Sequence, residues 1–253
     1  MKDNNHSPNT AANNCLQAKH SIDIDHLQLL VFDADDTLWD CQSHFDEVMN
    51  RCARMLKPYV SPDKVADQLY ATERANMPLM GYGTKAFTIS LLENALRVSN
   101  YKVPADVVEK ILQMGKELLL LPATPLEGVE KTLAHIRESH RWKMVMFTKG
   151  ESLDQKGKIS RSGLSSFFDD IIIVDDKTDN EYSKVCERHS ALPEEMLMIG
   201  NSFRSDIAPA LRIGANAVHI PFHTTWALEH AETFEHEHLV TLSSFSQLEQ
   251  FLL

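Results

Sequence analysis

The sequence predicts an α/β fold: a Rossmann-like parallel sheet with helices on both faces, plus an inserted all-α cap domain. Three observations carry this. After Pro125, short apolar runs of strand type alternate with amphipathic helical stretches, the pattern of a parallel sheet covered on both sides. One further strand, Leu29–Phe32, stands ahead of them, separated by about 80 residues whose apolar positions recur only at helical spacing. Four of the strands end in charged or hydroxyl-bearing residues. A chain of 253 residues, 43% of them hydrophobic, can bury a core of this kind together with an insertion. The expected division is a leader at 1–26, a core made of 27–40 and 125–253, and a cap at 41–124.

The leader is rich in Asn, Ser and His and lacks the apolar centre of a signal peptide, so disorder is expected there. Leu29–Phe32 reads as a buried strand running into Asp33-Ala34-Asp35-Asp36-Thr37. A first cap helix carries Phe45, Val48, Met49, Cys52, Met55 and Leu56 and ends before Pro58. Ser61-Pro62-Asp63 starts a second, with proline at its first helical position. Met77–Gly83 is expected to break that helix, and Thr84 to cap a third through Leu96. Pro104 opens a fourth, and Pro122 and Pro125 end the bundle.

In the core, helix Glu127–Ser139 precedes strand Lys143–Phe147, which ends in Thr148-Lys149-Gly150. Helix Ser152–Ser162 and strand Ile171–Val174 follow, the latter ending in Asp175-Asp176-Lys177. A helix through Tyr182 leads to strand Met196–Ile199, which ends in Gly200-Asn201-Ser202. Helix Ile207–Ile213, strand Ala217–Ile220, an edge strand Leu239–Leu242 and a last helix Ser244–Leu252 complete the chain.

A formal charge of −11 argues against a nucleic-acid partner, since phosphate backbones select basic surfaces. It leaves room for a small phosphorylated substrate, because one lysine and a metal can reverse the potential inside a single pocket. Cys15, Cys41, Cys52 and Cys186 form no CxxC pair, as expected of a reduced, cytoplasmic chain. No stretch is long and apolar enough for a membrane span.

The chemistry concentrates at the strand ends. If the backbone stays extended past Phe32, Asp33 and Asp35 point to the same side. Two such carboxylates repel unless a cation or a shared proton joins them. Mg²⁺ suits oxygen ligands, and a nucleophile paired with an acid/base uses the proton. One such segment alone could equally be a polar turn capping the next helix. Four strand ends, however, converge where parallel sheets bind ligands: Asp33/Asp35, Thr148/Lys149, Asp176/Lys177 and Asn201/Asp206. Together they are the inventory for phosphoryl transfer to a carboxylate.

Those four segments resemble, in order, the motifs of the haloacid dehalogenase (HAD) superfamily of hydrolases: DxDxT at Asp33–Thr37, a strand ending in Thr148, Lys177 ahead of a helix, and Gly200-Asn201-Ser202-Phe203-Arg204-Ser205-Asp206. The helical insert resembles the cap many members carry between the first two motifs. The resemblance implies a Mg²⁺-dependent phosphatase acting on a small phosphorylated metabolite. Asp33 would be the nucleophile and Asp35 the acid/base. Thr148 and the backbone N–H groups after Asp33 and Thr148 would bind the phosphoryl group, and Lys177 would offset charge. Asp33, the Asp35 carbonyl, Asn201 and Asp206 would hold Mg²⁺. Asn201 stands where many members have aspartate, removing one formal charge from that set. A 2-haloacid dehalogenase, which uses no acid at the Asp35 position, a phosphomutase and a non-catalytic phosphometabolite-binding protein are the rival readings.

Other residues divide between roles. Lys149 either reaches the phosphate or caps a helix. The loop Met77–Lys85 either faces the site mouth through Gly81 and Gly83 or simply joins two helices. His219, His223, His230, His236 and His238 lack a ligand spacing and read as solvated. The acidic run Glu229–Glu237 reads as a solvated face, and Trp226 as packing on the sheet edge.

Overall fold

The computed structural model describes residues 22–253. The leader expected at 1–26 therefore falls largely outside the described residues. Its last part does not behave as a free leader: Ile22 is buried and Ile24 packs against the same core.

Six parallel strands form one sheet: β1 (Leu29–Phe32), β2 (Lys143–Lys149), β3 (Asp170–Val174), β4 (Met196–Gly200), β5 (Asn216–His219) and β6 (Leu239–Thr241), in the order β3-β2-β1-β4-β5-β6. The strands carry consecutive apolar residues because both faces of the sheet are covered. Alternation along β1 sends Leu30 and Phe32 into one core, with Leu133, Ile136, Ile159 and Leu248. Leu29 and Val31 enter the other, with Tyr182, Val185 and Cys186. The helices on these faces are α5 (Val129–Glu138), α6 (Ser152–Ser162), α7 (Asp179–His189), α8 (Ala208–Arg212) and α9 (Gln247–Leu252). The chain runs outward from β1 through β2 and β3, then returns to place β4 on β1's other side. That reversal opens a crevice at the C-terminal end of β1, the place where such sheets bind ligands.

Between β1 and α5 the chain forms the helices α1 (Gln42–Leu56), α2 (Pro62–Met80), α3 (Thr84–Val98) and α4 (Ala105–Leu118). They enclose their own core around Cys52, Leu56, Val65, Leu69, Leu91 and Ile111. Helices α3 and α4 cross closely at Gly115, where a Cβ would lie 2.2 Å from Thr88 Oγ1. No helix among the described residues is long and apolar enough to cross a membrane.

Three local readings are corrected. Helix α2 runs through Pro78 to Met80 and stops at Gly81, whose φ of 67° and N–H bond to the Met77 carbonyl end it. Proline in the last turn forfeits only one bond near a terminus that is ending anyway. Thr84 is the first residue of α3 and caps nothing; its N–H is taken, at 3.2 Å, by the carboxylate of Asp154 on α6, which ties cap to core. The helix expected at Ile207–Ile213 is α8 preceded by a π-helical turn, Phe203–Ile207. Ser202 Oγ starts that turn by accepting from Ser205 N–H at 3.0 Å.

Candidate active site

The site is assembled at the ends of β1 to β4. The Asp33 N–H bonds the Ile199 carbonyl at 2.9 Å, which continues the β1–β4 ladder one residue and fixes Asp33 over the crevice. The chain then turns at Asp36, which has a φ of 64°. Its Oδ1 accepts from the N–H groups of Cys41 and Gln42, both at 2.8 Å, so the helix-capping reading of this segment is fulfilled by Asp36. Asp33 and Asp35 are left to line the cavity.

These two carboxylates have different lysines. Lys177 lies between the end of β3 and α7, whose N-terminus Thr178 caps by accepting from Glu181 N–H at 3.3 Å. Its Nζ donates to Asp33 Oδ1 at 2.6 Å and to Asp206 Oδ1 at 2.7 Å. Asp206 is locked in turn by the Ser202 N–H at 2.9 Å. Gly200 makes this possible: a Cβ there would lie 2.3 Å from Asp206 Oδ2. Thr37 Oγ1 lies 2.9 Å from Asp33 Oδ2 and 3.3 Å from Asn201 Oδ1, joining the first motif to the fourth. Burial, and after it the neighbouring Asp206 carboxylate, push Asp33 up to about 7 against the pull of Lys177.

Asp35 is held on the other side by α6. Lys158 Nζ donates to its Oδ2 at 2.5 Å and Gln155 Nε2 at 3.0 Å, while the Trp39 indole N–H donates to Oδ1 at 2.7 Å. Burial works to raise the Asp35 carboxyl, but Lys158 and these donors outweigh it and hold the group below the usual carboxylate range. Gln155 Nε2 also lies 2.9 Å from Thr148 Oγ1 and 2.5 Å from the Lys149 carbonyl, joining the second motif to the first.

All seven site residues expected from the sequence, Asp33, Asp35, Thr148, Lys149, Lys177, Asn201 and Asp206, line one cavity of about 770 Å³. Lys149 is drawn to one wall, 2.5 Å from Glu229 Oε1, 2.7 Å from Ser205 Oγ and 4.1 Å above the Tyr82 ring. Glu229 corrects the reading of its acidic run as solvated: it is partly buried, and its Oε2 accepts from Ser202 and Ser205, both at 2.6 Å. Trp226 is corrected as well. It lines the cavity with its ring 5.9 Å from Tyr82 and donates to Glu73. Gly81, Tyr82 and Gly83 place the loop between α2 and α3 on the cavity wall. His219 packs edge-on to Phe203 and bonds the Asn201 carbonyl at 3.1 Å. Among the described residues no group of three or more His, Cys, Asp and Glu side chains is gathered as a metal cluster.

Sequence reasoning missed Lys158 and Gln155. The signal was available: both lie on the face of α6 that also buries Ile159, and a lysine and a glutamine on a buried helix face need partners.

The family model for haloacid dehalogenase-like hydrolases matches residues 27–214. The chain belongs to that family. The six-stranded parallel sheet, with the four helices α1–α4 inserted between β1 and α5, is thus a HAD hydrolase fold. A HAD-like family hydrolase from Xanthomonas campestris is similar in structure, with a TM-score of 0.79 and 29% identity over 90% of this chain and 91% of that one. The L-2-haloacid dehalogenase from Xanthobacter autotrophicus shares the fold at a TM-score of 0.62 and 17% identity, over 89% of this chain and 98% of that one. Among curated proteins, the glyceraldehyde 3-phosphate phosphatase of Methanothermobacter thermautotrophicus is 25% identical over 248 residues, 89% of this chain and 100% of its own.

Proposed function

We propose that this HAD hydrolase is a Mg²⁺-dependent phosphatase that cleaves a small phosphorylated metabolite through an aspartyl-phosphate on Asp33. The observation that carries the reading is Asp35. A second carboxylate lines the same cavity as Asp33, on its own lysine, where a dehalogenase needs no acid. The curated relative named as a phosphatase supports the same choice.

In the first step an Asp33 carboxylate oxygen attacks phosphorus. The ester P–O bond breaks, its electron pair leaves with the alcohol oxygen, and that oxygen takes a proton from Asp35, which has received it from the incoming phosphate monoanion. In the second step a water oxygen attacks phosphorus, gives its proton to Asp35, and the P–O bond to Asp33 breaks, restoring the carboxylate. Lys177 keeps positive charge beside Asp33 throughout, and Thr148 donates to a phosphoryl oxygen. Closure of the cap over the crevice excludes bulk water.

The residues present fit Mg²⁺ by donor chemistry. Asp33, Asp206, the Asn201 amide oxygen and the Asp35 carbonyl are all hard oxygen donors, and Thr37 bridges Asp33 to Asn201. Bound there, the ion supplies positive charge against the phosphoryl oxygens.

The test is turnover of an aryl phosphate by purified protein with Mg²⁺, with chelator, and in Asp33→Asn. The expected result is Mg²⁺-dependent hydrolysis that the substitution lowers by about 10³-fold or more. Halide release from a 2-haloacid, with no phosphate ester cleaved, would replace this reading with the dehalogenase one. Activity on neither would leave a binding protein.

A further inference from the structure

The charge and hydrogen-bonding character of the cavity is lopsided. Among the described residues that line it, the ammonium groups are Lys149, Lys158 and Lys177, and each is already within 2.7 Å of a carboxylate on the floor. The wall contributed by the cap helices and the loop between α2 and α3 carries neither lysine nor arginine; its charged members are Asp46, Asp67 and Glu73. A second anionic group on a substrate would therefore meet carboxylates and find no free ammonium.

Unused hydrogen-bonding capacity has the same sign. Two side-chain oxygens of lining residues, Asp154 Oδ1 and Gln155 Oε1, have no hydrogen-bond partner, and both side chains are more than nine-tenths buried, at 5% and 2% exposed. Gln155 Nε2 is fully engaged with Asp35, Thr148 and Lys149, so its amide cannot be turned round without losing those bonds. Asp154 Oδ2 is committed to the Thr84 N–H. Both oxygens, however, lie behind the cavity surface; the acceptors that a ligand meets on the wall are the carboxylates of Asp46, Asp67 and Glu73, and they call for a ligand that brings donors.

We infer that the site selects phosphomonoesters whose alcohol portion carries hydroxyl or ammonium donors and no second anionic group. This rests on the phosphatase reading and adds the substrate class to it. Asp46, Asp67 and Glu73 become specificity-determining residues. Substrates with a carboxylate or a second phosphate on the alcohol portion are disfavoured.

The experiment compares kcat/KM at pH 8 for esters of similar size: glycerol 3-phosphate and phosphoethanolamine, which bring donors, 3-phosphoglycerate, which adds a carboxylate, and propyl phosphate, which has neither. The expected order places the donor-bearing esters at least about tenfold above 3-phosphoglycerate, the effect of one like charge at cavity distances, with propyl phosphate below the donor-bearing pair. Glu73→Gln lowers the preference for glycerol 3-phosphate over 3-phosphoglycerate by at least about threefold, since it removes the charge and keeps the shape. Asp67→Asn narrows the preference for glycerol 3-phosphate over propyl phosphate. Equal kcat/KM for glycerol 3-phosphate and 3-phosphoglycerate, or a preference for the latter, overturns the inference and leaves the phosphatase intact. A preference that both variants retain in full also overturns it. Hydrolysis of no ester in the panel, or of any of these esters by Asp33→Asn as fast as by the wild type, sinks the phosphatase reading and the inference with it.

Discussion

On the floor of the cavity the carboxylates lie against ammonium groups: Asp33 and Asp206 on Lys177, Asp35 on Lys158, Glu229 on Lys149. On the roof they do not. Asp46 accepts from the Gln42 amide at 2.8 Å and the Thr224 hydroxyl at 2.9 Å, and Glu73 accepts from the Trp226 indole. The floor is built to balance a large negative charge at one point, whatever the rest of the ligand is. The roof uses neutral donors, so its carboxylates remain able to repel or to attract. Floor substitutions should therefore fall on kcat for every substrate alike, and roof substitutions on the ratio between substrates.

The largest effect belongs to Lys177. Lys177→Met leaves Asp33 and Asp206 buried together without a cation, and removing one partner of a buried charge cluster costs about 3–5 kcal/mol. Urea unfolding should show that loss, and turnover should vanish for all esters. A variant of wild-type stability would mean that the floor does not depend on its charge balance.

Gly115→Ala strikes the scaffold of the roof. The new Cβ, 2.2 Å from Thr88 Oγ1 and 2.4 Å from its Cγ2, must push α3 from α4 at a cost of about 1–3 kcal/mol. Because the cap encloses its own core, hydrogen exchange should quicken in α1–α4 while β1, β2 and β4 stay protected. Equal loss of protection in the sheet would show that floor and roof unfold as one unit.

Lys158→Met is smaller and specific to the acid/base step. Without its ammonium, Asp35 loses the main influence holding its carboxyl low, so its proton is bound more tightly. The limb of the pH–rate profile that needs Asp35 as carboxylate should move to higher pH. At pH 7 kcat should fall by about tenfold, a fraction of the 10²–10⁴ that general acid–base catalysis contributes. An unmoved profile would take Asp35 out of the rate-limiting proton transfer.

The same division governs what the sequence discloses. The floor is legible because strand ends concentrate it: an apolar run that stops at Asp33, Thr148, Lys177 or Asn201 marks both the strand and the group at its tip. The helical insert is legible for the equivalent reason, as period-3.6 apolar spacing between Phe45 and Leu119 fixes four helices before any contact is known. Lys158 and Gln155 escape because a polar residue in a helix is ordinarily solvent-facing, and only tertiary packing buries this face of α6. Glu229 and Trp226 escape for a different reason. They sit in an irregular segment with no period to place it, and the contacts that define them, to Lys149 and to Tyr82, span 80 and 144 residues of chain. Roof specificity was hidden because apolar residues that line the cavity, such as Phe45 and Phe87, have the same spacing as residues of the bundle core.

Glu73 offers the smallest effect and the most direct contrast between the two surfaces. Burial pushes its carboxyl from 4.5 up to about 7, against the opposing hydrogen bond from Trp226, whereas Asp35 on the floor, also partly buried, is held low by its lysine. A carboxyl that binds its proton more tightly when folded contributes stability that is complete below the unfolded value and is lost as pH rises through the folded one. Wild-type stability should therefore decline between about pH 4.5 and pH 7 with a Glu73 share on the order of 1–3 kcal/mol. Asp33 and Asp36, both pushed up to about 7, add to the same decline in any protein that retains them. The difference between wild type and Glu73→Gln isolates the roof: the amide keeps an acceptor for Trp226 and cannot ionise, so its stability should fall less steeply across that window. Urea unfolding of both proteins at pH 5, 6, 7 and 8 reads the difference directly. Parallel curves would mean that Glu73 is as well solvated when folded as when unfolded, and the roof would then hold no buried charge with which to distinguish one substrate from another.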